Sequence, residues 1–144
     1  MHVHQILKSK GDGPVITITS KTSIAEAANV LAERRIGGLI VSSDGTQVEG
    51  ILSERDIVRS LALRGAVCLE ETVGDLMTRN PVCCSKDDTA DSVLQKMTNG
   101  RFRHMPVTED GALVGIITIG DAAGQKGKQN STKRYTNHPH RQLI

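Results

Sequence analysis

Two kinds of apolar spacing alternate along this chain, and the alternation runs through its cycle twice. Residues 15–19 (VITIT) are β-branched throughout, as an extended strand favours. Ile24, Ala27, Ala28 and Leu31 follow at the spacing of one helix face, behind the Ser23 and Glu26 pair of a capping box, and predict a helix to about Arg35. Residues 38–43 read as a second strand, Asp44 and Gly45 as a turn, and residues 48–52 as a third strand that delivers Ser53. A helix over residues 54–63 is expected to bury Ile57, Val58 and Leu61 and to stop near Gly65. The unit is β-α-β-β-α.

The same order then returns. Residues 81–85 match the first strand, Ala90, Val93, Leu94 and Met97 repeat the helix face, residues 105–108 match the second strand, Asp110 and Gly111 the turn, and residues 113–118 the third strand. Between the units, Val73, Leu76 and Met77 can pack as a short helical turn before Pro81. Ahead of them lies a lead-in with an apolar piece over residues 3–7 and a turn at KSKGDGP. The expected partition is a lead-in over 1–14, a first unit over 15–65, a linker over 66–80, a second unit over 81–124 and a tail over 125–144. The fold class is α+β.

Each unit ends its third strand on the same phrase, GILSERD at residues 50–56 and GIITIGD at 115–121. A hydroxyl residue (Ser53, Thr118) stands three positions before an aspartate (Asp56, Asp121) where strand hands over to helix. One reading is a helix cap, stabilising each helix by about 1 kcal/mol. The other is that the same N–H groups, hydroxyl and carboxylate face a cleft, the amides and hydroxyl holding phosphate and the carboxylate accepting from ribose. The duplication favours the second reading without removing the first.

Composition narrows the chemistry. At 144 residues the chain suits one compact domain with an aliphatic core, since Trp is absent and Phe102 and Tyr135 are the only aromatics. Cys68, Cys83 and Cys84, with no signal peptide ahead of them, point to reduced thiols in a cytoplasm rather than a disulfide framework. Apolar runs such as GGLIV are far shorter than the roughly 18 residues of a membrane span. All 16 acids stand at or before Asp121, and after it come Lys126, Lys128, Lys133, Arg134 and Arg141, so a mildly acidic body carries a basic tail. That tail has no helical period, and fraying is expected after about Gly124. No nucleophile has a recognisable partner set, there is no P-loop, and IGGLIV lacks the glycine spacing of a dinucleotide fingerprint, so no enzyme is expected. Metal ligation is thin as well: Cys83 and Cys84 should point to opposite faces of a strand, and His138 and His140 lie in the tail.

Over residues 15–123 this tandem resembles a CBS-domain pair, or Bateman module. The likeness rests on the two G-x-x-[ST]-x-x-D phrases, on LMTRNPV (76–82) leading into the second unit, and on RFRHMPV (101–107) before its second strand. It implies two units packed through their sheets about a pseudo-twofold axis, two related clefts between them, and pairing of modules into a homodimer. It implies that Ser53, Asp56, Thr118 and Asp121 contact the phosphate and ribose of an adenine nucleotide of the AMP, ADP, ATP or NAD class. Arg103 and His104 are then placed beside the phosphates, and the backbone of Met105 and Pro106 along the cleft wall. Arg and His together suit an anion, since Arg stays charged and His becomes so near neutral pH. Arg55, a cation at a helix start, either pairs with Glu54 or Glu26 or contacts phosphate. Val82 is either a core-facing strand residue or an apolar wall for the base. In the first unit Gly37 and Gly38 replace Arg103 and His104, which leaves room near Gly38 for adenine or ribose but no charge for phosphate. The clefts should therefore be unequal, with GIITIGD the stronger candidate.

The expected function is a regulatory, ligand-sensing module without catalysis, required cofactor or membrane association, whose regulated partner is open. The alternative is an interaction domain that dimerises with its clefts unoccupied and touches nucleic acid or an acidic protein through the basic tail.

Overall fold

A computed structural model describes residues 1–11 and 14–127, the side chains of 125–127 apart. The elements are α1 (Val3–Lys10), β1 (Thr17–Ile18), α2 (Ile24–Arg34), β2 (Gly38–Val41), β3 (Gly50–Ser53), α3 (Glu54–Arg64), a 3-10 turn (Gly65–Glu70), α4 (Val73–Leu76), β4 (Thr78–Arg79), α5 (Ala90–Gly100), β5 (His104–Glu109), β6 (Ala112–Thr118) and α6 (Ile119–Gly127). One sheet has the order β1-β2-β3-β4, with β1 parallel to β2 and the other pairs antiparallel. The other is the antiparallel hairpin β5-β6, whose register shifts between Val107 and Thr108.

Helices α2 and α5 cover the residues whose spacing predicted them. Ser23 accepts from the Glu26 N–H at 3.1 Å to cap α2, and Thr89 accepts from the Ser92 N–H at 3.1 Å to cap α5. Their apolar faces close two separate cores. The first gathers Ile24, Ala27, Leu31, Leu39, Val41 and Leu52, and the second Ala90, Val93, Met97, Met105, Val107 and Ile117.

The short helices cross over between these cores. The apolar piece of the lead-in is a helix that continues to Lys10, into the stretch expected to turn: α1 buries Val3 and Ile6 in the second core, while α4 and the residue after it bury Val73 and Met77 in the first. Backbone bonds fix the exchange in matched pairs. Val3 N–H donates to the Asp88 carbonyl and Ala90 N–H to the Met1 carbonyl, both at 2.8 Å; Val73 N–H donates to Thr22 and Ile24 N–H to Glu71, also at 2.8 Å. This is the twofold relation of the repeat.

The exchanged helices account for the glycine that opens each phrase. A Cβ on Gly115 would stand 2.7 Å from Leu7 Cδ2 of α1, and one on Gly50 would stand 2.7 Å from Met77 Sδ and 2.8 Å from the Thr78 carbonyl. A side chain there would collide with the crossing segment.

Four expectations change. The strand over 81–85 reduces to one parallel bridge, Cys84 to Val107, held by Cys84 N–H to Pro106 O (3.0 Å) and Thr108 N–H to Cys84 O (2.9 Å). Pro81 has no N–H to extend it, and the register shift after Val107 interrupts the ladder. On α3 only Ile57 is buried; Val58 is 62% and Leu61 37% exposed, because α3 lies on its core by one edge and the described chain supplies nothing to cover the rest. Lastly, β3 begins at Gly50 and α6 runs to Gly127, beyond the expected fraying at Gly124; the remaining tail, with His138 and His140, lies outside the described residues. Cys84 faces the core while Cys83 is half-buried, as alternation requires.

Candidate functional site

Each phrase builds the predicted cap. Asp56 N–H donates to Ser53 Oγ at 3.2 Å and Ser53 N–H to Asp56 Oδ2 at 2.8 Å; Asp121 N–H donates to Thr118 Oγ1 at 3.0 Å and Thr118 N–H to Asp121 Oδ2 at 2.9 Å. Beyond that the copies diverge. Lys10 Nζ of α1 forms an ion pair with Asp121 Oδ2 at 2.7 Å and also donates to the Ile116 carbonyl at 2.9 Å. Asp56 has no ion pair among the described residues.

Two clefts open between the units. The first, about 870 Å³, is lined by Ser53, Arg55 and Asp56 from the first unit and by Pro81, Val82, Arg103, His104 and Thr118 from the second. The second, about 840 Å³, is lined by Val15, Ile16, Gly37 and Gly38 from the first unit and by Thr118 from the second, with Lys10 at its edge. The segments around the second strand of one unit thus face the phrase of the other. Arg103 and His104 adjoin GIITIGD through the backbone, where Ile119 N–H donates to the Arg103 carbonyl at 2.8 Å and His104 pairs with Thr118. They also line the cleft on which Ser53 and Asp56 open. The sequence placed these groups in one site; in the structure Arg103 lines the first cleft, His104 and Thr118 line both, and Asp121 lines neither.

The other candidates fall as follows. Val82 is 51% exposed on the first cleft, so it is a wall and not a core residue. Arg55 is exposed there and pairs with neither Glu54 nor Glu26 among the described residues. Met105 and Pro106 are buried, β5 pairs Met105 with Ile117, and the Pro106 carbonyl accepts from Cys84, so they support the site from behind without lining either cleft. The space beside Gly38 is taken: a Cβ there would stand 2.9 Å from the His104 ring. That glycine admits an imidazole from the other unit, so the expected room for a base is filled.

His104 is the hinge of this arrangement. Its ring lies against Gly37 and Gly38, lines both clefts and is largely buried. Burial and the Arg103 guanidinium push its pKa below the ordinary 6.5, against the opposing pull of Glu54 and Asp121. It is therefore a neutral ring near pH 7, and the charge expected of it falls to the arginines. Cys84 is inert, its thiol pushed up to about 12 mainly by burial. Among the described residues no group of three or more His, Cys, Asp or Glu could hold a metal, and no helix is long and apolar enough to cross a membrane.

Residue patterns alone did not find Lys10, Arg59 or Asn80. Arg59 carried a signal, since it stands one turn after Arg55 and lines the same cleft. Lys10 ends α1 and Asn80 follows β4, and both are placed only by tertiary structure.

Comparison with known proteins agrees with this architecture. The pattern of the CBS domain family matches residues 6–63 and 73–125. The fold superposes on a CBS-domain protein of Agrobacterium tumefaciens with a TM-score of 0.83 and 41% identity, covering 88% of this chain and 99% of that one. A CBS domain protein of Pyrobaculum aerophilum complexed with AMP gives 0.73 and 27%, covering 84% and 89%. The CBS domain pair of protein MJ0100, complexed with 5′-methylthioadenosine and S-adenosyl-L-methionine, gives 0.78 and 30%, covering 90% and 98%. The chain spans only 19% of the length of several Arabidopsis thaliana relatives that it matches, at 35% identity for two of them. With both family matches falling on the two crossed units, the chain belongs to the CBS domain family and is a CBS-domain pair.

Proposed function

We propose that this chain is a non-catalytic regulatory module that binds an adenine nucleotide in its first cleft and pairs with a second copy through the face of α3. The observation that carries it is the meeting of Ser53 and Asp56 with Arg55, Arg103 and Val82 around one 870 Å³ space. Asp56 is the ribose acceptor, Ser53 with Arg55 and Arg103 the phosphate contacts, and Val82 the apolar wall. The volume lies in the upper part of the roughly 300 to 1,000 Å³ typical of small-ligand sites. Relatives solved with AMP, 5′-methylthioadenosine and S-adenosyl-L-methionine support an adenosine-bearing ligand, since that moiety is common to all three.

Asp121 lines neither cleft and is engaged by Lys10, which lines the second, so Thr118 and Asp121 form a site only if that ion pair opens. The first cleft is accordingly the primary one, and its stronger assignment replaces the preference for GIITIGD. Exposed Val58 and Leu61, three residues apart on one side of α3, give it an uncovered apolar strip suited to a homodimer. Val58 belongs to both that face and the first cleft, so filling the cleft can bias the dimer contact, provided the ligand favours one arrangement of the walls.

Calorimetric titration with AMP, ATP and NADH tests this reading. Saturable heat from at least one nucleotide is expected; no heat from any of them, with the protein folded and self-associated, would leave an interaction domain with unoccupied clefts.

A further inference from the structure

The nucleotide reading leaves two cations of the first cleft unassigned. Arg59 lies one turn after Arg55 on α3, Arg101 lies two residues before Arg103 on the facing wall, and all four are exposed around the same space. Among the described residues no carboxylate pairs with any of them, although Glu54 and Asp56 are close in sequence. Asp56 is held by the Ser53 N–H at 2.8 Å and the Ser53 hydroxyl at 3.1 Å, and the Glu54 carboxylate lies against Gly37. The guanidiniums stay unneutralised, and Arg55 with Arg59 forms a like-charge pair that costs helix stability when nothing sits between them.

A terminal phosphate offers three oxygens and is saturated by about two forked guanidiniums. Four such forks on two facing walls exceed what one phosphate can engage. Against the Glu54 and Asp56 carboxylates on the same lining they leave a surplus of positive charge, which disfavours a cationic adenosyl ligand such as a sulfonium. The recessed volume between the units suits a small polyanion better than a macromolecular surface.

We infer that the first cleft selects a nucleoside polyphosphate, with Arg59 and Arg101 holding the phosphates beyond the one held by Arg55 and Arg103. This rests on the nucleotide reading of the same cleft. The discrimination is electrostatic, so it weakens as salt is raised.

Titration of the full chain, in metal-free buffer, with adenosine, AMP, ADP, ATP, S-adenosyl-L-methionine and inorganic tripolyphosphate tests it. Affinity is expected to rise from AMP through ADP to ATP by at least about tenfold overall, with S-adenosyl-L-methionine and tripolyphosphate weaker than ATP. In the double variant Arg59→Gln and Arg101→Gln, ATP affinity should fall to the AMP level while AMP affinity holds and the thermal midpoint does not fall. AMP or adenosine binding as tightly as ATP would overturn the polyphosphate inference and leave the nucleotide reading standing. The same holds for an ATP preference that survives the double variant. Tripolyphosphate binding as tightly as ATP would replace nucleotide selection by a bare polyanion site, and no binding by any nucleotide would remove both readings.

Discussion

At the scale of single residues, His104 shows how burial changes a role that residue type alone implied. The sequence offered an Arg and a His as two cations. Structure keeps the charge on Arg103 and turns His104 into a neutral ring filling the space that Gly37 and Gly38 leave open. The sign of its pH dependence follows from the depressed pKa. The unfolded chain takes up this proton near the ordinary 6.5 and the folded one only at lower pH, so stability is intact above 6.5 and is lost as pH falls through the folded value. The thermal midpoint should therefore drop between about pH 7.5 and 5.5, and His104→Gln should flatten that drop. Equal drops in both proteins would show that His104 does not titrate as described. The identities of Gly37 and Gly38 were legible in the sequence; what fills them was not, because their neighbour lies in the other unit.

Elements that rest on local pattern were legible almost in full. The helical spacing of α2 and α5, with the Ser23 cap of α2, placed them along the chain, because each helix covers a core formed largely by its own unit. Elements defined by a distant partner were not. Val3, Ile6 and Leu7 have helical spacing, but only the second core, near the opposite end of the chain, gives that face something to cover. On α3, Val58 and Leu61 carry the right period and still face outward. The glycine of each phrase also belongs to this scale. Alanine gains about 0.4–1 kcal/mol from a less free unfolded chain. Gly115→Ala meets only the end of the Leu7 side chain, whereas Gly50→Ala meets the Thr78 carbonyl as well as Met77. Chemical denaturation should find Gly50→Ala destabilised by about 1–3 kcal/mol and Gly115→Ala by clearly less. The reverse order would mean that β4 yields more easily than α1.

At the scale of the whole molecule, a repeated sequence becomes an unequal pair of clefts because the short helices cross between units. The crossover sets Ser53 and Asp56 against the arginines of the second unit and ties Asp121 to Lys10. The phrases were readable as sites, but which partners each one meets depends on that crossing. The most direct measurement of the central claim is calorimetric titration of AMP into the wild type, Asp56→Ala and Asp121→Ala, each checked for folding. Loss of a hydrogen bond to a charged group, about 1.5–3 kcal/mol, should weaken binding by Asp56→Ala about tenfold or more, while Asp121→Ala binds as wild type does. Undiminished binding by Asp56→Ala, with loss in Asp121→Ala, would contradict the assignment of the first cleft.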